Sequence, residues 1–374
     1  MRIALLHPTY WPEVRRGSER LIHDLGTMLA ERGHEVTLLT SHPGPRAVAV
    51  EDGLRVVRSR RLPQPPTLGL HERFLGNAHN VVRELIRGRF DLAHAFYPTD
   101  AWAAVKSRRV GAPPVVFSLH GIPIRRYLVN RRYRLEMLQQ TIAGAAASTV
   151  LSEAAAKPFR SFLMHDPVVL SGGVRADRFA VERDRSESPT IVCASSVADP
   201  RKRGRLLLSA FAALHASRPE ARLLLVRTPD PEFGSESLEL PDGAEWIEAG
   251  STEELANAYA SAWLTVLPAP DEAFGLVLLE SLAAGTPVVA ARSGGCPEIV
   301  DDDGIGRLFE ADDETALSAA LDEALELAGD PATKARCRER AGRYDWSRVI
   351  DRYTALYDEV GGRDSRFSVR SGGR

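Results

Sequence analysis

The chain has 374 residues, of which 44% are hydrophobic and 26% charged. That is the balance of an ordinary globular protein, and the length suits two domains. A formal net charge of −2 gives no global basic field for nucleic acid. The three cysteines, Cys193, Cys296 and Cys337, stand far apart with no metal-ligand spacing, which argues against a disulfide framework or a zinc site and for a reducing compartment. The apolar run at the N-terminus is too short for a signal peptide, and no uninterrupted apolar stretch reaches the length of a membrane span. The expected location is the cytoplasm.

The first half alternates short β-branched runs with helical stretches. Residues 2–7 (RIALLH) read as a buried strand, 21–30 as an amphipathic helix, and EVTLLTS and LRVVRSR as the next two strands. A helix is expected over 71–87. FDLAHAFY and PPVVFSLHG read as strands, with a helix at 99–108 between them. A helix at 131–147 and the strand STVLSE follow. Repeated β-α-β of this kind implies a parallel, doubly wound sheet. Residues 171–189, rich in Gly, Ser and charge, read as an interdomain linker. The alternation then restarts with TIVCASS and runs through ARLLLVRT, AEWIEAG, LTVLPAP and PVVAAR with intervening helices. Helices at 314–328 and 331–342 and a last amphipathic helix from Trp346 complete the reading. The expected domains are 1–172 and 188–345, then a helix at 346–360 and a disordered tail at 361–374.

Ligands of doubly wound sheets sit beyond the carboxyl ends of the strands, and between two such domains the cleft is the default site. The stretch EAFGLVLLESLAAGTPVVAARSGGCPE, residues 272–298, carries the strongest signal. Glu272 lies in the loop after a strand, and a helix starts near Gly275, its free N–H groups suited to a diphosphate. Glu280, more than one turn into that helix, can accept hydrogen bonds from vicinal hydroxyls of a ribose, and Glu272 can meet a sugar hydroxyl. A single such glutamate is more often a solvated surface residue. The ordered set of Glu, Phe-Gly, Glu, Gly-Thr-Pro and Gly-Gly-x-Pro-Glu is much harder to assemble by chance.

This string resembles the donor-binding signature of the family 4 retaining glycosyltransferases, which have the GT-B fold: two Rossmann-like domains facing across a cleft. The resemblance extends from RIALLH to the Trp346 helix. It implies that Glu280 holds the ribose of a nucleotide, that Glu272 contacts the transferred sugar, and that Phe274, Gly275 and Leu276 supply backbone contacts to sugar and diphosphate. Residues 12–40 resemble the family's first loop and helix, which border acceptor and donor phosphate. Where the family has Gly-Gly, this chain has Arg16-Gly17, so Gly17 matches and Arg16 is expected to reshape acceptor entry. His120, past the strand PPVVFSLHG, resembles the family histidine that contacts the donor sugar. His94 sits at a similar strand end and is a candidate for the acceptor side, although a lone histidine is more often structural. The family places Gly-Arg after the strand TIVC and a lysine further on. Here Ser195 and Ser196 stand at the Gly-Arg positions, and Lys202 stands where the lysine belongs. Arg201, Arg203 or Arg205 are candidates to replace the lost cation.

The resemblance implies transfer of a sugar from a nucleotide diphosphate sugar to a hydroxyl acceptor with retention, by Glu272, His120 and Lys202. No cofactor or metal is expected, because no His/Cys cluster stands at ligand spacing. An envelope lipid or a small polyol is the favoured acceptor. The basic, aromatic segment 124–140 suits an anionic membrane surface, but equally a solvated face or a soluble phosphate. Two other readings stand beside this one: a non-catalytic sugar-nucleotide binder, motivated by Ser196, and a nucleotide-sugar 2-epimerase. A dinucleotide oxidoreductase is weaker, since no G-x-G-x-x-G follows the first strand.

Overall fold

The computed structural model describes the backbone except for 64–71, 228–237 and 372–374, and side chains through residue 362 outside those gaps. The chain forms two units, Met1–Ser171 with Val349–Arg374, and Gly172–Arg348.

Unit 1 runs β1 (Arg2–Leu6), α1 (Gly17–Glu31), β2 (Glu35–His42), β3 (Ala47–Glu51), β4 (Leu54–Arg60), α2 (Ala78–Gly88), β5 (Leu92–Ala95), α3 (Pro98–Ser107), β6 (Val115–Leu119), α4 (Arg125–Leu128), α5 (Arg134–Gly144), β7 (Ala147–Val150), α6 (Glu153–Ser161) and β8 (Val168–Val169). Its sheet has the order β3-β4-β2-β1-β5-β6-β7-β8. Every pair is parallel except the β3–β4 hairpin. The central strands are mostly apolar because helices cover both faces: Ile3, Leu5, Leu6, Val115 and Phe117 have no exposed surface. Strand β1 pairs with β2 on one side and β5 on the other, so strand order reverses there.

Unit 2 runs α7 (Ala176–Phe179), β9 (Thr190–Cys193), α8 (Gly204–Ser217), β10 (Arg222–Val226), β11 (Ala244–Ile247), α9 (Thr252–Ser261), β12 (Leu264–Leu267), α10 (Leu276–Ala284), β13 (Val288–Ala291), α11 (Cys296–Ile299), β14 (Gly306–Phe309), α12 (Glu314–Leu327) and α13 (Pro331–Gly342). Its parallel sheet has the order β11-β10-β9-β12-β13-β14 and reverses between β9 and β12. Helix α14 (Trp346–Ser371) starts in unit 2, where the Trp346 ring lies against Gly173, and belongs to unit 1 from Val349 onward.

Several expectations need correction. The segment read as a linker is packed into unit 2. Phe179 is buried beside Tyr259, and Val174 exchanges backbone hydrogen bonds with Tyr344 and Trp346. Arg185 donates to the carbonyls of Trp263 and Gly285, which ties the segment to unit 2. Gly361-Gly362 does not stop α14, whose backbone stays helical to Ser371 where a disordered tail is expected; no proline interrupts it. The helix expected at 71–87 starts at Ala78 after a 3₁₀ turn, Leu75–Asn77, and its expected start at His71 lies outside the described residues. The helix expected from 131 starts at Arg134, because Tyr133 takes a left-handed conformation.

Candidate active site

In unit 2, the loop after β12 carries Asp271, Glu272 and Phe274. It is held from below by the turn after β13. Gly295 N–H donates to the Glu272 carbonyl at 2.7 Å. A Cβ on Gly294 would lie 2.2 Å from that same oxygen, and one on Gly295 would lie 2.6 Å from the Ala273 carbonyl. The Gly-Gly pair is therefore a steric requirement of the loop. Gly275 has φ +100 and ends the loop at the N-terminus of α10, a conformation that disfavours any side chain. Phe274 is buried edge-on to Tyr344, with ring centroids 5.8 Å apart. Leu276 opens the helix. One turn in, Glu280 is buried and accepts a hydrogen bond from the Tyr259 hydroxyl of α9 at 3.2 Å.

The loop after β9 supplies the counter-charge. The Asp199 side chain caps the 3₁₀ turn Pro200–Lys202 by accepting from Arg201 N–H. Lys202 then reaches across the switch point, and its Nζ donates to Glu272 Oε2 at 2.5 Å. Both side chains are about one-quarter exposed, 24% and 25%, so a ligand can compete for the ammonium. Lys202 and the positive end of α10 are two groups that could hold an anion such as a diphosphate. The flanking arginines do different work. Arg201 folds back on the buried Asp199 and Arg203 pairs with Asp312. The donor-binding role expected of Arg201 is thus weakened by a structural commitment. Ser195 is buried against Cys193.

In unit 1 the corresponding loops follow β1, β5 and β6. His120 lies just past β6. Both its ring nitrogens are buried and have no partner among the described residues. Burial, reinforced by nearby His7, pushes its pKa down to about 3. His94 is different. It has no exposed surface, and its two nitrogens bond Tyr357 of α14 at 2.5 Å and Ser118 of β6 at 2.6 Å. It is a core residue that fastens α14 to the sheet, which corrects the acceptor-side expectation: position 94 lies within β5, whereas 120 lies beyond its strand. Arg16 occupies the N-cap position of α1 without a side-chain capping bond, and Gly17 opens the helix, with nothing within 4 Å of a Cβ placed there.

Three further residues of this site, His7, Thr9 and Glu19, are not reached by the sequence reading. His7 immediately follows β1. Thr9 donates through its hydroxyl to Glu19 Oε1 at 2.8 Å, and Glu19 is buried with Oε2 lacking any partner among the described residues. The rule that singles out His120, a histidine one residue past a parallel strand, applies equally to His7.

Two doubly wound units, each with polar groups gathered at its strand-order reversal, are the make-up of the GT-B fold, a fold of glycosyltransferases. The chain belongs to that class by sequence as well: residues 15–178 match the Glycosyltransferase Family 4 model and residues 176–343 the Glycosyl transferases group 1 model. It is 28% identical to a phosphatidyl-myo-inositol mannosyltransferase of Mycolicibacterium smegmatis, over 99% of this chain and 96% of that one. It is 27% identical to a D-inositol 3-phosphate glycosyltransferase of Geodermatophilus obscurus, over 91% of this chain and 84% of that one. Among solved structures, a sucrose-phosphate synthase from Thermosynechococcus elongatus shares the fold, with a TM-score of 0.82 at 21% identity, covering 97% of this chain and 99% of that one.

Proposed function

We propose that this glycosyltransferase moves a hexosyl group from a nucleotide diphosphate sugar to a hydroxyl of an inositol-type acceptor, with retention and without a metal ion. Unit 2 takes the donor and unit 1 the acceptor. The observation that carries the reading is the Lys202–Glu272 pair at the β9/β12 switch point, beside the N-terminus of α10 and one helical turn from buried Glu280. In this reading Glu280 holds the ribose. Phe274, Gly275 and Leu276 offer backbone to the diphosphate, and Glu272 turns from Lys202 to a sugar hydroxyl as the phosphates arrive. Lys202 and the α10 N-terminus stabilise the departing diphosphate, where a fixed cation contributes most. His120, neutral and unpartnered, meets a hydroxyl of the transferred sugar. The named substrates of the two relatives motivate the inositol-type acceptor.

No helix among the described residues is long and apolar enough to cross a membrane. Contact with an anionic lipid surface is assigned to the segment after β6. There, Tyr127, Val129 and Tyr133 are exposed, and Arg126 and Arg132 stack on their neighbouring tyrosines.

The test is a panel of UDP-, GDP- and ADP-sugars, read by thermal shift and nucleotide release in the presence of inositol acceptors, with and without EDTA. One donor should shift and turn over, insensitive to EDTA, and Glu280→Ala should abolish the shift. Product NMR gives the anomeric configuration. A shift without release under any acceptor would support the non-catalytic binder, and no shift from any donor would sink the donor assignment.

A further inference from the structure

The tautomer of His7 can be read from its surroundings. Its Nδ1 lies 2.7 Å from the backbone carbonyl oxygen of Thr9. A carbonyl only accepts, so the proton sits on Nδ1. The longer approaches of Thr9 N and Oγ1 to that nitrogen, both 3.4 Å, do not compete with a contact so much shorter. A neutral ring with Nδ1–H has a bare lone pair on Nε2. No hydrogen bond to Nε2 occurs among the described residues, although the residue is only 6% exposed. The ring is held in place: the Thr9 carbonyl fixes one edge, Tyr97 packs edge-on with centroids 6.0 Å apart, and Glu19, tied to Thr9, stands 3.9 Å away. Strand β1, which His7 ends, is the strand at which the order of the sheet reverses, where ligands of such folds bind.

We infer that His7 is a substrate-recognition residue whose Nε2 accepts a hydrogen bond from a hydroxyl of the acceptor, with Thr9 and Glu19 as its positioning residues. The inference rests on the assignment of the acceptor to unit 1. A fixed acceptor nitrogen discriminates in favour of a polyol and against an analogue lacking that hydroxyl, because the analogue leaves the lone pair without that partner. Glu19, whose Oε2 is likewise buried without a partner among the described residues, stands on the Nδ1 side of the ring.

The acid–base behaviour fits. Burial lowers the His7 pKa below its ordinary value, against the pull of Glu19, and Arg16 lowers it further. The other charged or titratable groups facing it are His120 past β6 and Tyr97 past β5. His7 therefore stays neutral, with Nε2 open, through the ordinary pH range, and loses the lone pair only when acid protonates it.

Three measurements test this. Nitrogen-15 NMR of histidine-labelled protein should show His7 protonated at Nδ1, with its Nε2 resonance moving on addition of myo-inositol or D-inositol 3-phosphate. His7→Asn keeps an N–H toward Thr9 but removes the distal acceptor. It should raise the acceptor KM about tenfold while the donor KM moves less than twofold. His7→Gln, which restores an oxygen near the Nε2 position, should recover part of that loss and remove the rise of acceptor KM in acid. Melting curves of both variants verify folding. An Nε2–H tautomer, a donor KM that moves with or instead of the acceptor KM, or an Nε2 resonance indifferent to both polyols would each overturn the inference. The NMR titration needs no turnover, so it still tests His7 if no nucleotide sugar binds and the transferase reading itself fails.

Discussion

In unit 2 the strand-order reversal is spanned by an ammonium and a carboxylate 2.5 Å apart. In unit 1 the reversal is lined by His7 and His120, both driven by burial toward the neutral imidazole. The same βα architecture thus presents one charged and one neutral face at equivalent topological positions. Lys202 and Glu272 keep roughly a quarter of their surface in solvent, where an ion pair is cheap to hold and cheap to exchange for a phosphate. The His120 ring nitrogens are buried and His7 is only 6% exposed, surroundings in which a charge would be expensive. A leaving diphosphate needs the first environment and a hydroxyl the second. The contrast predicts which substitutions matter and in which direction.

The largest effect should come from Lys202→Met. Removing the one lysine at the reversal should lower kcat about 10²–10³-fold, the scale set by loss of a preorganised charge-stabilising donor, with a smaller change in acceptor KM. Steady-state kinetics with saturating acceptor check it. A loss under tenfold would mean that the phosphate charge is met elsewhere, and the contrast between the two sites would collapse.

Asp100 sharpens the neutral side. It is fully buried at the start of α3, its only partner among the described residues is Asn77 at 3.2 Å, and burial raises its pKa from 3.8 to about 7. A carboxyl whose folded pKa is raised costs the fold nothing below its unfolded pKa. The cost grows from there and is complete above about 7. Asp100→Asn should therefore stabilise the protein by a few kcal/mol at pH 8 and make little difference at pH 4, as measured by denaturant unfolding at both values. Equal effects at the two values would show that the side chain is not held neutral.

On the charged side, Ser196 stands at the position where the family resemblance implies an arginine. A charge-assisted hydrogen bond contributes about 1.5–3 kcal/mol. Ser196→Arg should accordingly lower the donor KM or raise kcat about tenfold, and a null result would show that Lys202 with the α10 dipole already saturates the phosphates.

The unit 2 site was largely legible because its geometry forbids alternatives at particular residues. Gly275 needs positive φ, and Gly294 and Gly295 leave no room for a Cβ, so these positions leave a mark in the sequence itself. Glu280 was legible by its spacing from Glu272. The unit 1 site depends on which side of a strand end a histidine falls. His94 and His120 look alike in sequence, and only the pairing of Ala93–Ala95 with Val115–Phe117 places His94 inside the sheet. The strands β3, β8 and β14 are short and carry charged or exposed residues, and α6 has Pro158 inside it; local pattern gives no period there to read. The packed segment 171–189 reads as a linker because its anchors are a few scattered residues, Val174, Phe179 and Arg185, which meet distant partners among exposed charged neighbours.

The smallest effect belongs to Arg203, and it tests whether every cation near Lys202 serves the donor. Arg203 sits at φ 56, the left-handed region, and its guanidinium pairs with Asp312 at the surface. An exposed pair contributes about 0–1 kcal/mol, and a non-glycine residue in the left-handed region costs about 1–2 kcal/mol. In Arg203→Gly the lost pair and the relieved backbone nearly cancel, although glycine also adds freedom to the unfolded chain. Stability should change by less than about 1 kcal/mol, and the donor KM by less than twofold. If the donor KM instead rises severalfold while stability holds, Arg203 leaves Asp312 to bind phosphate, and the charged face of unit 2 is broader than one lysine.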